Sequence, residues 1–363
     1  MKPSILAGTV FALAALPAIA PAQSNVTVYG VLDLALEAGH TGGTTTTRVD
    51  ASGVAPIRLG FQGSEDLGGG TQAVYRLESG FNADTGTLAN GGALFGREAW
   101  VGLKGALGQV QVGVNYTPLF LSYVTYSMGG LNTLGWGNAT NNFVFVPAAR
   151  TSNSVRYTSP TWNGLTLRAF HGRGNEDAAG QPRGLGKTSA LALAYKEGGL
   201  SVDLDYMQQD YANTAALTSS VAAKTGRYWL VGASYDFGLV KPAFLYQDHR
   251  GSAGVTAPIG ASFANPDNHF FELDALVRVS ANGTLLLSYG QYSKREDSSG
   301  NARSYAVRHD YALSKRSGVY VGVTRVENGS SASFTAAPAA GAGIAVAPGQ
   351  AINSAIAGIV HRF

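Results

Sequence analysis

A two-residue alternation of apolar and polar side chains restarts sixteen times along this chain, and it limits the possible folds more than any other feature. Residues 25–37, NVTVYGVLDLALE, place Val26, Val28, Leu32, Leu34 and Leu36 on one face and Thr27, Tyr29, Asp33 and Glu37 on the other. Successive side chains point to opposite sides of a strand, so period two marks a strand with one apolar face. The pattern returns over 58–64, 71–81, 94–103, 110–116, 152–158, 165–172, 189–196, 200–209, 227–236, 240–248, 269–280, 284–293, 303–313, 319–326 and 352–363. The connections alternate too. Those leaving odd strands are long: 38–57, 82–93, 117–151, 173–188, 210–226, 249–268, 294–302 and 327–351. Those leaving even strands are short and carry glycine: 65–70, 104–109, 159–164, 197–199, 237–239, 281–283 and 314–318.

A soluble sandwich has no reason to gather its long loops at one end. A transmembrane up-and-down antiparallel barrel does, with short turns on one side and long loops on the other. In hydrocarbon every backbone N–H and C=O must pair, so the sheet has to close, with 352–363 beside 26–37. At sixteen strands the lumen is too wide for side chains to fill and holds water. The outward face then meets lipid, with Leu59, Phe61, Tyr75, Leu77, Val112, Tyr116, Leu204, Tyr206, Tyr235, Phe271, Leu287 and Tyr289 expected there. Composition agrees. Only 13% of residues are charged, against roughly 25% in ordinary soluble domains, and 48 are glycine. There is no cysteine, which removes disulfides, thiolate metal sites and a cysteine nucleophile. A net charge of +3 without a basic stripe argues against nucleic acid as a partner.

Lys2, the apolar run from Ile5 to Ile19 and Ala20-Pro21-Ala22 have the order of a secretory signal peptide. Residues 1–22 are expected to be removed before Gln23, leaving 23–363 as a single barrel domain. No later stretch of 18 apolar residues exists to form a membrane helix.

Several segments carry a family resemblance. They are Val26-Thr27-Val28-Tyr29-Gly30-Val31-Leu32-Asp33, Ile57 to Gly70 (IRLGFQGSEDLGGG), Leu94 to Leu103 (LFGREAWVGL), Tyr116-Thr117-Pro118-Leu119, Tyr311 to Arg316 (YALSKR) and the terminal His361-Arg362-Phe363. Taken in order, they resemble the general diffusion porins of Gram-negative outer membranes, of the betaproteobacterial type, over nearly all of residues 23–363. The resemblance implies a sixteen-stranded homotrimer with the third loop folded into each lumen. It implies passive diffusion of small hydrophilic solutes, with outer-membrane lipid and lipopolysaccharide as surroundings. Phe363 resembles the terminal signal read by the outer-membrane barrel assembly machinery.

Strand parity turns Arg58, Arg76, Arg97, Arg156 and Arg168 to the lumen, with Arg150 at the start of its strand. The resemblance assigns Arg58, Arg97 and Arg150 to the constriction wall, where permanently charged guanidinium groups would attract anions. Arg76 is expected to pair with Glu78 on its own face. Further lumen charges are Asp33, Asp203, Asp205, Glu272, Asp274, Arg308 and Asp310, with Asp236 grouped among the late carboxylates. The third loop, 117–149, contains no charged residue, unlike many general porins, which carry carboxylates there. Val114, where related porins often have arginine, is expected on the outer face near a trimer contact, and so is Glu98. The 82–93 loop is expected to reach a neighbouring copy.

Catalytic patterns are weak. There is no H-E-x-x-H and no G-x-S-x-G. Gly186-Lys187-Thr188 lacks the earlier glycine of a phosphate loop, which is Gln181 here. Asp203 with Asp205, or Glu272 with Asp274, could in principle form a glycosidase pair, but alternating acids on a wet face fit a pore lining better. No catalytic, cofactor or metal site is expected. The favoured function is an anion-preferring diffusion channel. The alternatives are a substrate-specific channel or, in another class, a barrel-borne enzyme or adhesin.

Overall fold

The computed structural model describes residues 25–128, 149–174, 186–211, 224–251, 267–336 and 343–363. The expected signal segment 1–22 and most of the third loop lie outside them. The strands are β1 Asn25–Thr41, β2 Thr44–Ala51, β3 Arg58–Gly68, β4 Thr71–Asn82, β5 Thr87–Leu88, β6 Glu98–Gly105, β7 Gly108–Tyr116, β8 Arg150–Thr158 and β9 Leu165–Gly172. They continue as β10 Thr188–Glu197, β11 Leu200–Tyr211, β12 Lys224–Tyr235, β13 Val240–Arg250, β14 Asn268–Arg278, β15 Gly283–Lys294, β16 Ala302–Ala312, β17 Ser317–Asn328 and β18 Ile352–Arg362. One helix, α1 Pro118–Tyr126, follows β7.

These segments build sixteen staves. β5 is a two-residue strand folded back on the end of β4, inside a connection. β2 and β3 make one stave between them, because β1 pairs with β2 over Leu34–Thr41 and with β3 over Asn25–Val31. Every other neighbour pair is antiparallel, and β18 closes the barrel on β1 from Val31↔Arg362 to Thr41↔Ile352. Closure is completed at the last residue, where Gly30 and Phe363 exchange backbone hydrogen bonds of 3.0 and 3.1 Å. A Cβ at Gly30 would lie 2.8 Å from the Arg58 carbonyl oxygen as well as 2.3 Å from the Phe363 ring, and the backbone contact disfavours any larger residue at that position.

The first connection departs from expectation. Residues 38–57 are not one long loop. β1 and β2 continue the wall and meet at a two-residue turn, Gly42-Gly43, with both residues in the left-handed region at φ 57° and 78°. The chain then leaves the wall at Ser52 and returns at Arg58. This excursion is fastened to the buried Asp33, which accepts from Val54 N at 2.8 Å and Ala55 N at 2.6 Å and also receives the Tyr320 hydroxyl. The fourth stave likewise starts at Glu98, not at Leu94.

Outside, Val101, Val112, Leu191, Leu204, Trp229, Leu273, Leu287, Val321 and Ile359 are all exposed, as a lipid-facing surface requires. Leu204, Leu287, Val112 and Tyr235 stand where parity puts them. Tyr116 does not. It ends β7 where the chain turns into the lumen, and it is buried.

Inside, α1 lies against the lumenal side of β9 to β13. Thr117 caps it by accepting from Phe120 N at 3.3 Å, and Pro118 occupies the first turn, where its missing N–H costs nothing. Leu119, Tyr123 and Tyr126 are fully buried, with Phe120 nearly so. Burying side chains of this size contributes about 1.5–3 kcal/mol each, enough to hold a nine-residue helix that would not persist alone.

Candidate functional site

A cavity lies between Leu121 of α1 and residues of β3, β4, β6 and β8. Glu78 joins two of the expected constriction arginines. Arg97 Nε donates to Glu78 Oε1 at 2.6 Å, and Arg58 Nε lies 3.8 Å from Glu78 Oε2. Tyr29 donates to the same carboxylate at 2.9 Å. Tyr116 joins Arg97 to the third arginine, because the Arg97 and Arg150 guanidinium groups lie 6.0 and 5.2 Å from its ring centroid. The Tyr116 ring stacks in turn on Phe120 of the helix at 4.8 Å. Arg58, Arg97 and Arg150 are thus brought together. Arg150 stands behind Tyr116 and donates to the Gly96 carbonyl at 2.9 Å.

Two expectations about pairing are corrected. Arg76 does not pair with Glu78. Its Nη1 donates to Glu98 at 2.9 Å and its Nη2 to Gln62 at 2.9 Å. Glu98 does not face lipid, for it is buried on the lumenal side and accepts from Trp100 Nε1 at 2.9 Å. The cause is local. Regular alternation begins only at Glu98, and Arg97 sits in the bend before it, so two consecutive residues both point inward. Arg156 completes this wall, donating to Gln111 at 2.6 Å and to the Tyr116 carbonyl at 3.2 Å. A cavity of about 520 Å³ lies against it, lined by Arg58, Arg76, Arg97, Arg156 and Arg362, by Glu78 and Glu98, and by Leu121 of α1. Val114 pairs with Ala99 on the outer face, as its parity requires.

The late carboxylates have another task. Asp203 accepts from Ser122 Oγ at 2.6 Å and Tyr126 OH at 2.9 Å, and pairs with Arg168 at 3.2 Å. Glu272 accepts from Ser127 Oγ at 2.9 Å, and Asp274 from Met128 N at 2.6 Å. Asp205 is equally buried. Asp203, Glu272 and Asp274 hold the helix and its exit against the wall. Ser122, Tyr126 and Ser127 escaped the sequence reading, although Thr117-Pro118 followed by apolar residues at 119, 120, 123 and 126 is a helix signal. Asp236 is not in a strand. It lies half-buried in the turn after β12, where Arg278 donates to both its oxygens at 2.9 and 2.8 Å and holds its carboxyl at about 2, below the usual range. Arg308 and Asp310 pair with each other at 2.7 Å on β16. Among the described residues no three His, Asp or Glu side chains are grouped to hold a metal ion.

A closed antiparallel barrel with a lipid-facing exterior, a charged lumen and an infolded helix defines a membrane channel. The chain belongs to the Gram-negative porin family, whose model matches residues 9–331, and it is an outer-membrane porin. It is 27% identical to outer membrane porin protein 32 of Delftia acidovorans over 335 residues, 90% of each chain. The solved anion-selective porin from Comamonas acidovorans superposes with a TM-score of 0.76 at 25% identity, covering 94% of this chain and all of that one. The trimer form of Vibrio cholerae OmpT shares the fold, with a TM-score of 0.64 at 16% identity over 94% of this chain and 99% of that one.

Proposed function

We propose that this porin prefers anions and works as a homotrimer passing small hydrophilic solutes. One observation carries the preference: five arginines and only two glutamates line the cavity beside α1, and the described part of the third loop adds no charge to oppose them. The carboxylates that could oppose them, Asp203, Glu272 and Asp274, are buried and engaged with the helix. In this reading they are loop-holding groups, not an acid–base pair. Selectivity is set at the narrowest point, because mobile ions screen charges beyond about 8–10 Å.

Reversal potentials of the purified protein in a salt gradient test the proposal. The expected result is anion preference that weakens at high salt. Removing one unit charge about 7 Å from a permeating ion in water changes its energy by about 0.6 kcal/mol. Arg97→Ala should therefore disfavour an anion and favour a cation by that amount each, lowering the anion-to-cation permeability ratio roughly sevenfold. Cation preference in the wild type, or an unchanged ratio in Arg97→Ala, would overturn it.

A further inference from the structure

The channel contains a second basic chamber that the constriction does not explain. It has a volume of about 650 Å³ and lies beside the short-turn ends of β9 to β13, where Arg168, Lys196 and Lys241 all line it. Parity explains their convergence. Lys196 continues the inward row of the buried Ala192 and Ala194, and Lys241 that of the buried Ala243 and Leu245. Two carboxylates share the lining, and both are engaged. Asp203 holds Ser122, Tyr126 and Arg168, and Asp236 is gripped by Arg278. Neither lysine has an ion-pair partner among the described residues. The chamber therefore keeps an excess of positive charge, with the hydroxyls of Thr166 and Ser201 beside it as hydrogen-bond donors.

The helix joins this chamber to the arginine wall. Leu121 lines the cavity at the wall, and Thr125, one turn further along α1, lines the second chamber. Four residues of helix rise about 6 Å, less than a Debye length of about 8 Å at physiological salt. An anion leaving the first cavity is still within the field of the wall when it meets the second set of cations.

We propose that the chamber beneath α1 is a second anion-binding station, taking a small oxyanion between Lys196, Lys241 and Arg168 as it passes the arginine wall. This rests on the anion-preferring reading above and adds to it a distinct site. Two stations in series would let a multivalent oxyanion step through the pore without a single deep trap, since conduction needs sites that bind and also release.

The experiment is single-channel recording in potassium chloride, with inorganic phosphate added from the side of the short turns. Wild-type, Lys196→Gln/Lys241→Gln and Lys241→Glu proteins are compared. Unit conductance before phosphate is added shows that each barrel is intact. Phosphate should interrupt the wild-type current. The mean interruption should shorten about fivefold in the double variant, as expected for the loss of two solvent-facing charge contacts, and should also shorten in Lys241→Glu. The reversal potential in potassium chloride alone should stay anion-favouring in all three. Interruptions of unchanged length in the double variant, or none in the wild type, would overturn the station. A cation-favouring wild-type reversal potential is the separate signature that the anion-preferring reading itself has failed.

Discussion

Arg97 and Arg58 both face Glu78, at 2.6 and 3.8 Å, so one carboxylate cancels half the formal charge of the two arginines. A passing anion meets that net charge, not the arginine count. Glu78→Gln would keep the shape and a hydrogen-bond acceptor while removing the negative charge. The anion-to-cation permeability ratio should then rise by roughly sevenfold, opposite in sign to Arg97→Ala. The substitution also leaves Arg97, which is nearly buried, without an ionic partner, and it should cost about 1–3 kcal/mol of barrel stability. Reversal potentials and thermal denaturation of the same preparation read the two effects separately. A shift of Glu78→Gln toward cations would show that Glu78 acts through position and not through charge. At this scale parity puts Arg58, Arg76 and Arg156 on one face, and all three line the cavity beside α1. It failed at Glu98 and Tyr116, each at a stave end where the backbone leaves regular pleating, and alternation carries no information there.

At the scale of elements, the infolded helix depends on hydroxyl-to-carboxylate bonds. Ser122 and Ser127 reach Asp203 and Glu272 at 2.6 and 2.9 Å, and intramolecular hydrogen bonds contribute about 0.5–1.5 kcal/mol each. Ser122→Ala/Ser127→Ala removes both donors and leaves the carboxylates in place. The loop should loosen, and open-channel current noise at low frequency should rise severalfold, with barrel melting little changed because the wall hydrogen bonds remain. Noise equal to wild type would mean that the buried Leu119, Tyr123 and Tyr126 suffice to hold the helix. The staves were readable because lipid on one side and water on the other impose period two over long stretches. The first hairpin was missed because its outer half, Thr44–Thr47, is polar on both faces, although a Gly-Gly pair flanked by β-branched residues is a turn signal. The depth of Asp203, Glu272 and Asp274 was not readable at all. It depends on which stave the third loop crosses, a long-range fact with no local pattern.

The whole molecule presents a lipid-facing wall, and lipid satisfies Val101 and Leu204 without a partner. It does not satisfy apolar residues in the connection between β4 and β6, beyond the barrel wall. Leu88 and Leu94 lie in that connection and are 43% and 61% exposed. The expected lipid-facing charge at Glu98 no longer argues for a protein contact, since Glu98 points inward, and these two leucines take its place as the reason to expect one. In a three-fold assembly each connection would lie on the next copy, a head-to-tail contact that closes into a ring. Covering a leucine fully contributes about 1.5–3 kcal/mol, and the contact occurs three times per trimer. Leu88→Asp/Leu94→Asp should therefore lower the temperature at which the proposed trimer dissociates in detergent by several degrees, while the β-sheet signal of each barrel melts as in wild type. Current through a single pore should be unchanged, because neither residue lines the lumen cavities. A trimer that dissociates at the wild-type temperature would place the contact elsewhere on the wall, and wild-type protein that cross-links only as monomers in native membranes would remove the trimer altogether.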